Sequence, residues 1–258
     1  MIKRAVQSTL KMFGFRLTRV RSIAQPTVAL PAVAPPAWAL KSLFPVLKGF
    51  GFDPKHILDI GANTGLWTRE AINYFPRAHY TLVEPQDELK VHIQDLVDRG
   101  YQVHWVNAGA SDEPGILPLH VQGRNDSSTF RQVSTCLRQI PVRVQTVNEI
   151  AASTGLPAPE MVKIDAEGFD LKVLAGASEL FGKTEIFLAE ASIVAPHFDN
   201  TAAALIQTMA DAGYRLIDIT DINRSPRYGV LWLCEFAFLL KTSHLLDMAT
   251  CYSEDLAI

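Results

Sequence analysis

A chain of 258 residues, 48% hydrophobic and 20% charged, is long enough to bury a full core and too apolar to be disordered throughout. It contains no run of about 18 uncharged apolar residues of the kind that crosses a bilayer. A net charge of −3 excludes a surface built wholly for nucleic acid, and the three scattered cysteines form neither a disulfide framework nor a Cys-x-x-Cys zinc pair, which suits a reducing compartment.

The charge is unevenly spread. Residues 1–25 hold Lys3, Arg4, Lys11, Arg16, Arg19 and Arg21 and no acid, leaving 18 basic against 27 acidic side chains in the rest. At 100° per residue, Ile2, Val6, Leu10, Phe13, Leu17 and Val20 share one arc of roughly 80° that excludes the cations. Such a basic amphipathic helix packs on its own domain, docks on a protein partner or rests on anionic lipid, and an organellar transit peptide shares its composition. No secretory h-region follows it, so the expectation is a cytoplasmic protein able to visit the inner face of the membrane. Residues 26–37 hold four prolines and no charge, the pattern of a semi-rigid linker, and a helix is expected over Trp38–Gly49.

From there strands and helices alternate. HILDI (56–60), 80–84 and 103–106 read as short strands, separated by helices over 64–75 and 86–99. Further apolar runs at 161–165, 185–190, 215–220 and 232–240 are spaced by helices near 169–181 and 200–212. Short, non-alternating apolar strands interleaved with helices predict an α/β fold, a seven-strand doubly wound sheet that is mostly parallel. The last two runs lack an intervening helix and form an antiparallel pair at the sheet edge. The stretch 108–146, with exposed-type strands at 116–121 and 141–146 around the polar loop 123–129, interrupts the pattern as an insertion over a site.

The strongest motif is Asp59-Ile60-Gly61-Ala62-Asn63-Thr64-Gly65, after the first strand and opening a helix. Gly61 permits a tight turn, Gly65 lets the helix press on the strand, and free N–H groups at the helix start offer donors. The G-x-G-x-x-G dinucleotide fingerprint is absent because Asn63 stands at the second glycine position, so a small anionic group fits better than a pyrophosphate. Asp59 either accepts from an ammonium or holds the loop. Glu84 ends the second strand, placed to accept both hydroxyls of an unphosphorylated ribose. Together these ask for a nucleoside bearing an amino-acid-like group, for which S-adenosyl-L-methionine is the candidate.

Lys163-Ile164-Asp165-Ala166-Glu167-Gly168 ends another parallel strand, where open α/β sheets bind ligands. Asp165 and Glu167 serve there as general base, partner of a sulfonium or ligands for a hard divalent cation, or else cap the next helix. Glu190 ends the following strand as a further base or metal ligand, or as a structural acid. Ser111 or Asp112, after the third strand, accepts from an adenine amino group or belongs to an ordinary turn. His197 in a loop, Trp67 on the first helix and Arg124, Asn125, Asp126 and Ser127 in the polar loop are weaker candidates for base, pocket wall and acceptor contacts.

ILDIGANTG, LVEP, NAGASD, VKIDAEGFDLKVLAGASELF and FLAE together resemble the FkbM-type methyltransferases over about residues 52–240. The resemblance implies a Rossmann-like fold and S-adenosylmethionine-dependent methylation, often of hydroxyls on sugars or polyketides. It also implies cofactor contacts at Asp59, Gly61, Asn63, Gly65 and Glu84, with Asp165 and Glu167 flanking the reacting centre. The resulting expectation is an O-methyltransferase acting on a glycan or small-molecule acceptor, with Asp165, or else Glu167 or Glu190, taking the hydroxyl proton. Two alternatives remain open: a nucleotide-dependent oxidoreductase, and a silent module partnering a glycosyltransferase. A nucleic-acid acceptor is disfavoured by the acidic body.

Overall fold

The computed structural model describes residues 40–123, 127–134, 136–194 and 199–247. The expected helix 1–25 and linker 26–37, together with Arg124, Asn125, Asp126 and His197, lie outside them.

The expected strands form at β1 (His56–Ile60), β2 (His79–Val83) and β3 (Val103–Val106). After three strands of the insertion, β4 (Gly109–Ala110), β5 (Gly115–Val121) and β6 (Arg138–Gln145), come β7 (Met161–Ile164), β8 (Ile186–Ser192), β9 (Tyr214–Arg224) and β10 (Leu231–Leu240). Seven of them make one sheet in the order β3-β2-β1-β7-β8-β10-β9. β3 through β8 pair in parallel, so their carboxyl ends share one edge. The antiparallel pair stands at the sheet edge as expected, but the reversed strand is β10, one place in, between β8 and the outermost β9.

The apolar runs are continuous because both faces are covered. Ile57, Met161, Ile186 and Leu188 face α1 (Leu40–Gly49) and α2 (Leu66–Tyr74), sharing a core with Phe44, Leu47 and Ile72. Residues of the other parity, such as Leu58, Ile60, Val162 and Phe187, meet Ile150, Val173 and Leu205 on the opposite face. The helix expected over 86–99 is a 3₁₀ stretch (Asp87–Ile93) followed by α3 (Gln94–Asp98), a distinction that side-chain periodicity does not encode. On the second face, α4 (Val147–Ser153) begins with a capping box in which Thr146 accepts from the Glu149 amide and Glu149 reaches back to the Thr146 N–H. α5 (Asp170–Ala175) follows β7, and α6 (Ala202–Asp211) is capped by the Thr201 hydroxyl.

The insertion folds as a separate sheet in the order β4-β6-β5. It closes over a small cluster of Leu119, Val121 and Val142 and presents Leu119, Ser128 and Phe130 to the carboxyl edge of the main sheet.

Candidate functional site

A cleft of about 410 Å³ runs along that edge, within the range of small-molecule sites of about 300–1,000 Å³. One end is built by the turn after β1. Gly61 takes a φ of +75°, and a Cβ there would fall closer than 3.0 Å to the Asp165 carbonyl oxygen. The amides of Gly61 and Ala62 both donate to the Val83 carbonyl (2.9 and 3.1 Å), and the Asn63 amide donates to Glu84 Oε2 (3.0 Å). The turn is therefore bolted to the end of β2, and its amides at 61–63 are engaged. The backbone donors left for a ligand belong to the first turn of α2, where Leu66 and Trp67 line the cleft.

Glu84 lies 5% exposed and lines the cleft. Its Oε1 accepts from the Gln86 amide at 3.0 Å and more distantly from the Gln86 side chain at 3.4 Å. A carboxylate offers about four acceptor positions and three are used here, so one is open to a ribose hydroxyl, and a second opens when the Gln86 side chain gives up its 3.4 Å contact. Burial pushes its pKa up, opposed by the hydrogen bonds from Gln86 and Asn63.

Strand parity places Asp59, Lys163, Glu190 and Glu235 on one face of the sheet near its carboxyl edge, an acid–base row that continues the apolar face of Ile57, Met161 and Leu188. Lys163 is 4% exposed, with Nζ 3.2 Å from Asp165 Oδ2, 3.5 Å from Asp59 Oδ1 and 3.4 Å from the Gly61 carbonyl. Burial works against its charge, but Asp165, Asp59, Glu235 and Glu190 outweigh that penalty and raise its pKa. Asp59 is wholly buried and accepts from the Thr68 hydroxyl at 2.6 Å. It pins α2 to β1 below the cleft, the loop-holding alternative of the sequence, and is not among the residues that line the cleft.

Of the residues the sequence singles out, Gly61, Ala62, Asn63, Glu84, Asp165, Glu167 and Glu190 line the same cleft. Glu167, at a φ of +50°, sits in the turn after β7. Asp170 holds that turn, accepting from the amides of Ala166 (3.3 Å) and Gly168 (3.2 Å) and from Asn200 Nδ2 (3.0 Å). The turn is thus anchored from within rather than capped by Asp165 or Glu167.

Besides Asp59, three residues expected at the cofactor lie outside the cleft lining. Gly65 does not line the cleft; its φ of +76° and the adjacent Ile93 methyl make it a packing position at the head of α2. Ser111 and Asp112 also lie outside the cleft lining. The short β4 pairs with β6 and the Ser111 amide donates to the Gln145 carbonyl, drawing them away, and the Ser111 hydroxyl donates to Asp112 (2.7 Å). In their place Ala108, Gly109, Ala110 and Phe130 form an apolar wall. Trp67, a pocket-wall candidate, does line the cleft, and its buried indole N–H has no hydrogen-bond partner.

Lys163, Thr220, Asp221 and Glu235 are site residues the sequence reading missed. The signal for Glu235 was visible as the one acid within the apolar run of β10. Among the described residues, no group of three or more His, Cys, Asp or Glu is placed to hold a metal ion, and no helix is long and apolar enough to cross a membrane.

Burial and the neighbouring Asp165, Asp170 and Glu235 push Glu190 up to about 10, against the pull of Lys163. Burial pushes Glu235 and Asp170 up to about 7. Carboxyls raised on folding bind protons that the unfolded chain releases, so their contribution is full at low pH and lost as pH rises through the folded value. For Glu190 that window runs from the ordinary 4.5 to about 10. Thermal stability is expected to fall between pH 6 and 9, and Glu190→Gln to flatten that slope and raise Tm at pH 9. Calorimetric melts check this; an unchanged slope contradicts it.

The family model described as the Methyltransferase FkbM domain matches residues 59–216, more than half of the chain. The 2-O-methyltransferase NoeI of Sinorhizobium fredii is 22% identical over 152 residues, covering 53% of this chain and 63% of that relative's length. Among solved structures, the precorrin-6y C5,15-methyltransferase of Geobacter metallireducens aligns at a TM-score of 0.44 and 14% identity, covering 78% of this chain and 87% of that one. The 1,6-didemethyltoxoflavin-N1-methyltransferase of Burkholderia thailandensis aligns at 0.44 and 12%, covering 79% and 80%.

Proposed function

The chain belongs to the FkbM methyltransferase family, and we propose that it moves the methyl group of S-adenosylmethionine to a hydroxyl of a sugar-like acceptor. The observation that carries this reading is Glu84, buried at the end of β2, aimed into the cleft and tied to the turn after β1.

The residues present fit the adenosyl amino acid. Glu84 suits the ribose diol, and the wall of Ala108, Ala110 and Phe130 suits adenine. The unpartnered Trp67 N–H and the head of α2 suit the carboxylate, since buried donors and helix starts both favour anions. Asp165 and its acidic neighbours favour the cationic part of the ligand. When bound, S-adenosylmethionine supplies an electrophilic methyl on a sulfonium. The chain's own contribution is to hold both reactants in one geometry, to exclude water beneath the insertion sheet and to take up a proton.

A hydroxyl acceptor is supported by the far end of the cleft, where Asp165, Glu190, Thr220, Asp221 and Glu235 present acceptor-rich polar groups. Such a lining accepts from sugar hydroxyls and repels phosphates. The name of the relative NoeI, a 2-O-methyltransferase, points the same way.

The test is incubation with methyl-labelled S-adenosylmethionine and a panel of methyl glycosides. Label is expected on oxygen of at least one glycoside, with S-adenosylhomocysteine formed in equal amount, and no label on the matching deoxy sugar. Label on none of the panel, or on an amine in preference, would overturn it.

A further inference from the structure

Glu235 and Glu190 are register partners on adjacent antiparallel strands, and both line the cleft. Two carboxylates directly opposed on one face repel, so such a pair keeps a proton between its members. Two of the other acids at this end, Asp165 and Asp221, have hydrogen-bond partners of their own. Asp165 is held by Lys163 at 3.2 Å, and Glu167 sits in the turn that Asp170 anchors. Asp221 is exposed on β9 and accepts from the Ile222 amide and the Asn223 side chain. Glu235 is 6% exposed, and its Oε1 accepts from the buried Thr220 hydroxyl, which fixes the carboxylate in place.

Building on the methyltransferase reading above, we propose that Glu235, steadied by Thr220 and set beside Glu190, is the group that takes the acceptor hydroxyl's proton. In that step the acceptor oxygen bonds to the methyl carbon and the methyl–sulfur bond breaks with its electron pair going to sulfur. The hydroxyl proton passes to the Glu235 carboxylate and from there to water, so charge and atoms balance. Asp165 then serves as the partner of Lys163 and of positive charge in the cleft. The charged and titratable groups facing Glu235 are Lys163 from β7, Asp165 from the turn after it, Glu190 from β8 and Asp221 from β9. Its elevation to about 7, with burial the largest cause, matches a base that works near neutral pH.

The test compares wild type with Glu235→Gln and Thr220→Val. The readouts are S-adenosylhomocysteine titration calorimetry, the pH dependence of single-turnover transfer to a methyl glycoside, and ¹³C-carboxyl NMR. Glu235→Gln is expected to bind S-adenosylhomocysteine within about threefold of wild type, to lose about 100-fold or more of the transfer rate and to lose the acid limb of its pH profile. Thr220→Val, lacking a donor that favours the ionised form, is expected to move that limb to higher pH. NMR is expected to show a glutamate carboxyl titrating near neutrality in wild type and missing from Glu235→Gln. Retention of the rate within about threefold, an unmoved acid limb, or no such carboxyl would overturn the assignment. A wild type that binds no S-adenosylhomocysteine would instead overturn the underlying methyltransferase reading, so the two failures are distinguishable.

Discussion

Replacing Lys163 with methionine is expected to cost about 3–5 kcal/mol of stability, because removing one partner of a buried ion pair strands the other. Methionine matches the length of the stem but not the charge. Asp59, wholly buried, would keep only the Thr68 hydroxyl, and the Gly61 carbonyl would lose its 3.4 Å contact. For a domain of this size the loss corresponds to a fall in Tm of roughly 10 °C. Burial already raises the Asp59 pKa, and without Lys163 the carboxyl would neutralise more readily, so the deficit should be larger at pH 8 than at pH 5. Calorimetric melts at both values check this; a variant within about 1 kcal/mol of wild type at pH 8 contradicts the role given to Lys163.

Gly61→Ala should abolish cofactor binding. The added methyl would meet the Asp165 carbonyl oxygen, a backbone atom with no rotamer to escape to, at a φ that L-residues adopt only with strain. The turn must then shift, breaking its bonds to Val83 and Glu84 together. A loss of about 3 kcal/mol in binding, roughly 100-fold, is the least expected. Gly49→Ala is the control, since a Cβ there has open space around it. Equal affinity for S-adenosylhomocysteine in the two variants would contradict the geometry argued for the turn.

Much of this was readable from the sequence because it is encoded locally. HILDI followed by a glycine turn, an acid at the end of the next strand and KIDAEG at another strand end each carry their own positional meaning, and all three meet at the carboxyl edge. What failed to read was long-range. Ser111 and Asp112 follow the third strand as an adenine-side turn would, but pairing of Gly109 and Ala110 with Val144 and Gln145 draws the chain away, and nothing near residue 110 announces that partner. The Glu190–Glu235 pair depends on the register of two strands far apart in sequence, and only the unexplained acid in the apolar run of β10 hinted at it. Lys163 stood inside a recognised motif, yet its burial among carboxylates follows from strand parity across β1, β7, β8 and β10 rather than from its neighbours.

The most direct measurement is calorimetric titration of the wild-type chain and Glu84→Gln with S-adenosylhomocysteine, with NAD⁺ as the competing ligand class. One-to-one binding by wild type, at least about tenfold weaker binding by Glu84→Gln and no heat from NAD⁺ is the expected outcome, since the substitution removes the charge that strengthens hydrogen bonds to the ribose. Silence with S-adenosylhomocysteine, or undiminished binding by Glu84→Gln, would contradict the claim that this cleft holds an adenosyl amino acid.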